Sequence, residues 1–396
     1  MTAIRRLFSE GYRVFFLAAG LYAVVVMIVW TGWLGVHAAG GMAELPTSMA
    51  PHLWHGHELI FGFGTAALGG FFLTAVPNWT GARAAPGRFI AVVTGLWLLG
   101  RVAIWYSGAL PPGLVAVADL AFVPVLAAKI ATQLIKRPKP QNMLFLVLLS
   151  LVWVANLLTH LDWMGLTGTA DAGLRGGLYS LVAMIAVLGG RVTPAFTRNA
   201  MVREGRTGGL PVSRLWLDRP GIAAAIALPV VALVDAPASM LAAVALAAGG
   251  FQLARVAGWR PGFAARQPIL LALHLSFALI GLGLILTGLA ALDVGSAVAA
   301  LHVLAVGGVA GMVLAVASRA TLGHSGRPLV APGLVVVAYG LMPLAAALRW
   351  LASTYPADAY YPATLAAGFV WILAFTLYVA ALWPAFWGPR TKGGAQ

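Results

Sequence analysis

The chain of 396 residues has no cysteine. Disulfides, thiolate–metal ligands, iron–sulfur clusters and covalent c-type haem attachment are therefore all excluded. Charge is also scarce. Only 9% of the residues are charged, against roughly a quarter in a soluble domain. The few charges are unequal in sign: 25 basic residues face 11 acidic ones, for a formal net charge of +14. That balance would suit nucleic acid if the basic residues formed one stripe. They fall instead in short stretches between apolar runs, which argues against nucleic acid as a partner. The alternation of apolar and polar residues that marks a transmembrane β-barrel is missing too.

What is abundant is apolar sequence. Hydrophobic residues make up 61% of the chain, and runs of about 20 recur along it, long enough to cross a bilayer as helices. The fold class expected is all-α: a polytopic membrane bundle of about twelve transmembrane helices. The spans are expected near 14–36, 57–76, 88–106, 112–135, 142–164, 172–190, 219–234, 236–256, 268–291, 295–317, 329–351 and 363–387. Alternate connections carry arginine and lysine, among them Arg5, Arg6, Lys136, Arg203, Arg260 and Arg327. The others carry mainly acids such as Glu44, Asp162, Asp293 and Asp358. By the positive-inside rule both termini are expected in the cytoplasm. The basic start leads into a full-length span and is expected to act as a signal anchor. A single integral membrane domain over 1–396 is expected, with halves at 1–200 and 210–396.

Residues 51–58 read Pro-His-Leu-Trp-His-Gly-His-Glu, directly before an apolar run. Ionisable groups are costly at membrane depth and usually face the bundle interior. Imidazole is the side chain best suited to haem iron, copper and zinc. Pro51 suits a first helical turn. If the helix starts there, His52 and His55 share a face and His57 points nearly opposite. The metal ligands expected are His52, His55, His57 and His302. Glu58 fits a proton relay, a ligand or a charge favoured by the helix dipole.

Depth follows from a rise of ~1.5 Å per residue. His302 lies ~9 Å inside the outer end of its span, at the height of the cluster. His274 is expected roughly 12 Å lower in a ~30 Å core, with His324 in the inner loop near it. The expected arrangement is an outer centre of His55, His57 and His302, and an inner one of His274 and His324. His37 reads as interfacial. His52 fits a solvated loop as well as a ligand, and His160 is balanced between ligand and span end. Arg191 and Arg319 end spans on the inner side. They fit either the positive-inside rule or charge-paired donors to haem propionates.

Several strings together resemble one family. They are His55-Gly56-His57-Glu58 with Phe61-Gly62-Phe63, and Leu73-Thr74-Ala75-Val76-Pro77-Asn78-Trp79-Thr80-Gly81. Then come Gly189-Gly190-Arg191-Val192-Thr193-Pro194, Leu273-His274, Leu301-His302, Ser318-Arg319 and Gly323-His324-Ser325-Gly326-Arg327-Pro328. In content and order they resemble the NnrS family of bacterial membrane proteins. The resemblance implies a non-covalent haem, expected to be b-type, together with copper, and a role in the nitric oxide response from the bacterial inner membrane. Leu59 stands where members often carry Met, which removes a soft thioether but leaves the imidazoles.

The reaction expected first is reduction of nitric oxide to nitrous oxide, with Glu58 as the catalytic candidate, the other cluster histidines and Thr74 as further candidates for carrying protons, and quinol or a periplasmic carrier as electron donor. Two other readings stay open. One is a sensor or scavenger that binds nitric oxide without turnover. The other is a transporter of haem, copper or a metal–nitrosyl species.

Overall fold

A computed structural model describes residues 2–355 and 357–391. Among the described residues there are helices and no strands. Twelve helices are long and apolar enough to cross a membrane. We number them α1 (Gly11–Ala38), α2 (Pro51–Thr80), α3 (Gly87–Trp105), α4 (Pro112–Leu134), α5 (Pro140–Trp163) and α6 (Ala170–Arg203). They continue as α7 (Leu215–Leu233), α8 (Ala238–Ala257), α9 (Pro268–Ala290), α10 (Ala297–His324), α11 (Gly333–Thr354) and α12 (Tyr360–Trp387). In lipid each helix satisfies its own backbone, which is why apolar runs of this length settle into helices. Pro51, Pro112, Pro140 and Pro268 open α2, α4, α5 and α9. The N–H that proline lacks would have no intrahelical partner there.

The expected spans match these helices in number and order, and three differ by six residues or more at one end. Helix α2 begins at Pro51, so the histidine cluster is helical throughout. Helix α6 continues past Arg191 and Pro194 to Arg203. Helix α10 continues past Arg319 to His324. Arg191 and Arg319 therefore lie inside helices rather than at their ends, and His324 is a last helical residue rather than a loop residue. The physical reason is where a left-handed residue becomes available. Gly205 (φ 78°) and Gly326 (φ 76°) are the first to adopt that conformation after each run. Their backbone, with that of Arg206 and Arg327, returns hydrogen bonds to the last turn.

The chain divides into two compact units. The first comprises Met1–Gly177, Ala317–Leu329 and Phe375–Gln396. The second comprises Leu178–Val316 and Val330–Ala374. The first thus holds α1 to α5, and the second holds α7, α8, α9 and α11.

Two spanning helices change pitch. Residues Glu58–Gly64 of α2 and Val303–Ala310 of α10 are π-helical. Such turns widen a helix locally and recur at functional sites. Each begins directly after a histidine, His57 and His302.

Candidate metal centre

The first π-turn packs against α1 and α3, and α3 packs along the start of α4. Two glycines allow this closeness. A Cβ on Gly62 would come 2.6 Å from the Tyr22 ring and 2.9 Å from Nη1 of Arg101. One on Gly100 would come 2.9 Å from Oδ1 of Asp119. The carbonyl of Gly62 accepts a hydrogen bond from Nε1 of Trp97 at 2.9 Å.

This packing gathers seven polar side chains from five helices. Tyr22 comes from α1, His57 and Glu58 from α2, Arg101 from α3, Asp119 from α4, and Asn156 and His160 from α5. His57 and Glu58 are 0% exposed, and Arg101, Asp119, Asn156 and His160 are buried. Arg101 joins the two carboxylates. Its Nη1 donates to Oε1 of Glu58 at 2.6 Å, and its Nη2 donates to Oδ1 of Asp119. The Tyr22 hydroxyl donates to Oε2 of Glu58.

With Oδ1 taken by Arg101, Oδ2 of Asp119 faces the rest of the group. It receives Nδ2 of Asn156 at 2.7 Å and lies 2.9 Å from Nε2 of His160 and 3.3 Å from Nε2 of His57. Nδ1 of His57 lies 2.7 Å from Oε1 of Glu58, and Nε2 lies 2.9 Å from Oδ1 of Asn156. The Trp163 ring covers both imidazoles, with centroids 4.9 Å from His57 and 5.3 Å from His160. An apolar cluster including Trp54, Ile104 and Ala118 flanks Arg101 and Asp119 along the chain and packs on Trp163.

Buried ionic groups hold together only when each finds a partner. Here two carboxylates share one guanidinium, and the two imidazoles are neutral in their ordinary state near pH 7. One negative charge remains. An imidazolium at His57 or a bound cation would cancel it.

Among the described residues, His57, Asp119 and His160 form the one group of three or more metal-ligating side chains that comes together. One ligand atom from each lies within 4.8 Å of the others. Two imidazoles and a carboxylate suit a borderline ion such as copper, iron or zinc. Both imidazoles already approach the same carboxylate oxygen, so the donor set fits a single ion and not a porphyrin plane.

Of the sequence-predicted residues, His57 and Glu58 belong to this group. His55 is half-buried, stacked on Trp30 at 4.6 Å and 14°, and His52 is exposed. His302 is in the second unit, half-buried, with Nδ1 2.7 Å from the carbonyl of Val298. His274, also in the second unit, sets each ring nitrogen against a backbone carbonyl, Leu270 at 2.9 Å and Trp259 at 3.2 Å. His324 is in the first unit, stacked on Tyr12 at 5.6 Å. Arg191 and Arg319 are half-buried. His37 leans on Trp33 at 4.1 Å.

Sequence reasoning from the histidines passed over Tyr22, Arg101, Asp119 and Asn156. A signal for two of them was present. Arg101 and Asp119 are ionisable residues inside apolar spans, and such residues seldom lack a function.

A family model described as NnrS protein matches residues 6–390. The chain belongs to the NnrS family. Membership in NnrS makes it a nitric-oxide-related, multi-pass membrane protein of a metal- or haem-related kind. No curated protein matches the chain.

Proposed function

We propose that this NnrS protein holds a copper or iron ion at His57, Asp119 and His160, and acts on nitric oxide there. The reaction is reduction to nitrous oxide in protection against nitrosative stress, at the bacterial inner membrane with both termini cytoplasmic. The observation that carries the reading is the convergence of two imidazoles from separate helices on one carboxylate, closed off from solvent. The reduction consumes two nitric oxide molecules, two electrons and two protons, and yields nitrous oxide and water. A bound redox-active ion would supply the binding of nitric oxide and the passage of electrons. The electrons come from quinol or a periplasmic carrier.

The chain's own residues do the rest. Nitric oxide is small and apolar, so it reaches a site buried among helices through the lipid. Asp119 presents one oxygen because Arg101 holds the other. Glu58 faces Nδ1 of His57, the partner that orients a metal-binding imidazole and raises its basicity. Glu58 is thus a positioning residue. It is also the middle of a hydrogen-bonded row, Tyr22 to Glu58 to His57, along which a proton can move. Trp163 and the apolar cluster keep water out, which strengthens every charge interaction inside.

The test is made on detergent-purified protein. Iron and copper are quantified, reduced spectra are recorded with and without nitric oxide, and nitrous oxide is measured with a reductant. Turnover in the wild type and none in His160→Ala is the expected result. Nitrous oxide formed at the wild-type rate by both His57→Ala and His160→Ala would sink the reading. A stable nitrosyl without turnover would mark a sensor or scavenger. Metal-free protein that accumulates metal in vesicles would mark a transporter.

A further inference from the structure

Among the described residues, three other than glycine adopt a left-handed backbone: Asp235, Arg260 and Asp293. The short polar side chain of aspartate bonds locally and suits that region. Arginine has no such local partner. Yet Arg260 stands at φ 62° and ψ 55°, directly before the short helix Pro261–Ala264. A residue held against its preference in this way points to a ligand clamp.

Arg260 lines an open cavity of about 470 Å³, with Met201, Arg206, Gly208, Gly209 and Phe263 among the other walls. All of it belongs to the second unit. Its volume falls within the range of small-molecule sites, roughly 300–1,000 Å³.

The walls are rich in free donors. The guanidinium carbon of Arg206 lies over Phe263, 5.0 Å from the ring centre. Its Nε is 4.0 Å from Oε2 of Glu204, whose other oxygen accepts Nε2 of Gln267 at 2.7 Å. Nε of Arg260 donates to the carbonyl of Leu210 at 3.4 Å, and among the described residues no carboxylate lies within ion-pair distance of it. The Nη groups of both arginines make no hydrogen bond among the described residues. The backbone N–H groups of Gly208 and Gly209 have no backbone acceptor among them either. A Cβ on Gly208 or Gly262 would meet nothing within 4 Å, so the chain there is open to the cavity.

Two guanidinium forks and unpaired amide N–H groups around one void are a recognition set for phosphate oxygens. We propose that Arg206, Arg260 and the Gly208–Gly209 backbone bind the phosphate of a phosphate ester. Its source is a phospholipid of the adjoining leaflet. Leu215 and Trp216 open α7 a few residues further on and are 65% and 66% exposed. Exposed apolar and aromatic side chains beside arginines mark the membrane–water interface, and the arginines place this end on the cytoplasmic side. Met201 and Phe263 give the cavity apolar wall for the glycerol and first methylenes. A soluble phosphate ester carries the same group and is the other source. The inference rests neither on the metal centre nor on the chemistry proposed for it.

The test uses the full chain, purified in detergent and delipidated. Wild type is compared with a variant combining Arg206→Gln and Arg260→Gln. Arg266→Gln, an exposed arginine outside the cavity lining, is the control for general charge. Each is titrated with phosphatidylglycerol, and separately with glycerol 3-phosphate, and binding is read by native mass spectrometry. The expected result is a loss of phosphatidylglycerol affinity of about tenfold for each arginine removed, the effect of a charge-assisted hydrogen bond. Arg266→Gln should bind as the wild type does. Binding of glycerol 3-phosphate without phosphatidylglycerol, lost in the combined variant, assigns the phosphate site to a soluble ester. Unchanged affinity in the combined variant, or an equal loss in Arg266→Gln, overturns the proposal. If the combined variant does not fold, Gly208→Leu fills the cavity and leaves every charge in place. Wild-type affinity in that protein overturns the proposal equally.

Discussion

Nη2 of Arg101 is hydrogen-bonded to Oδ1 of Asp119, and that contact leaves Oδ2 of the same carboxylate facing His57 and His160. One guanidinium thus decides which oxygen is offered to a cation.

Removing the acid should remove the centre. Asp119→Asn deletes a ligand and leaves Arg101 with Glu58 alone. The expected outcome is loss of non-haem metal and destabilisation of about 1–3 kcal/mol, because Arg101 stays paired with Glu58 while the buried donors that face Asp119 lose a carboxylate acceptor. Metal analysis and thermal melting of the purified protein check both effects.

Glu58→Gln tests orientation separately from ligation. The amide retains the shape but cannot offer His57 a carboxylate. A fall in metal affinity of about 10–100-fold is expected, the usual effect of losing such a partner. A competition titration with a chelator measures it. Loss as complete as that of His57→Ala would instead make Glu58 a ligand.

Gly62→Ala changes no polar group. Its methyl would meet Tyr22 and Arg101 at 2.6 and 2.9 Å, and the rigid ring cannot give way cheaply. The expected cost is about 1–3 kcal/mol of overpacking strain, together with lowered metal occupancy as Arg101 shifts. Melting curves and metal content report the two effects.

His302→Ala and His37→Ala are controls for the first unit's centre. His302 lies in the second unit and His37 only leans on Trp33, so both variants should keep the non-haem metal at His57 and His160. Metal analysis of each purified protein checks this.

Much of the membrane architecture was readable from the chain. Runs of apolar residues in lipid have one common solution, the helix, so length and hydropathy settle the number and order of spans. Helix ends were less legible. The helices α6 and α10 run on to Arg203 and His324 because the first left-handed glycines lie at Gly205 and Gly326, and an arginine inside a membrane protein does not by itself stop a helix. His57 and Glu58 stood out because charge beside an apolar run is conspicuous.

The chain alone determined that His57, Glu58, Arg101 and Asp119 would each need a polar neighbour, since lipid offers none. Only the tertiary structure decided who that neighbour is. Asp119 and His160 meet His57 from helices far along the chain, through close approach at Gly62 and Gly100. Apolar periodicity constrains which face a helix buries; it does not state which side chain on another helix will lie opposite.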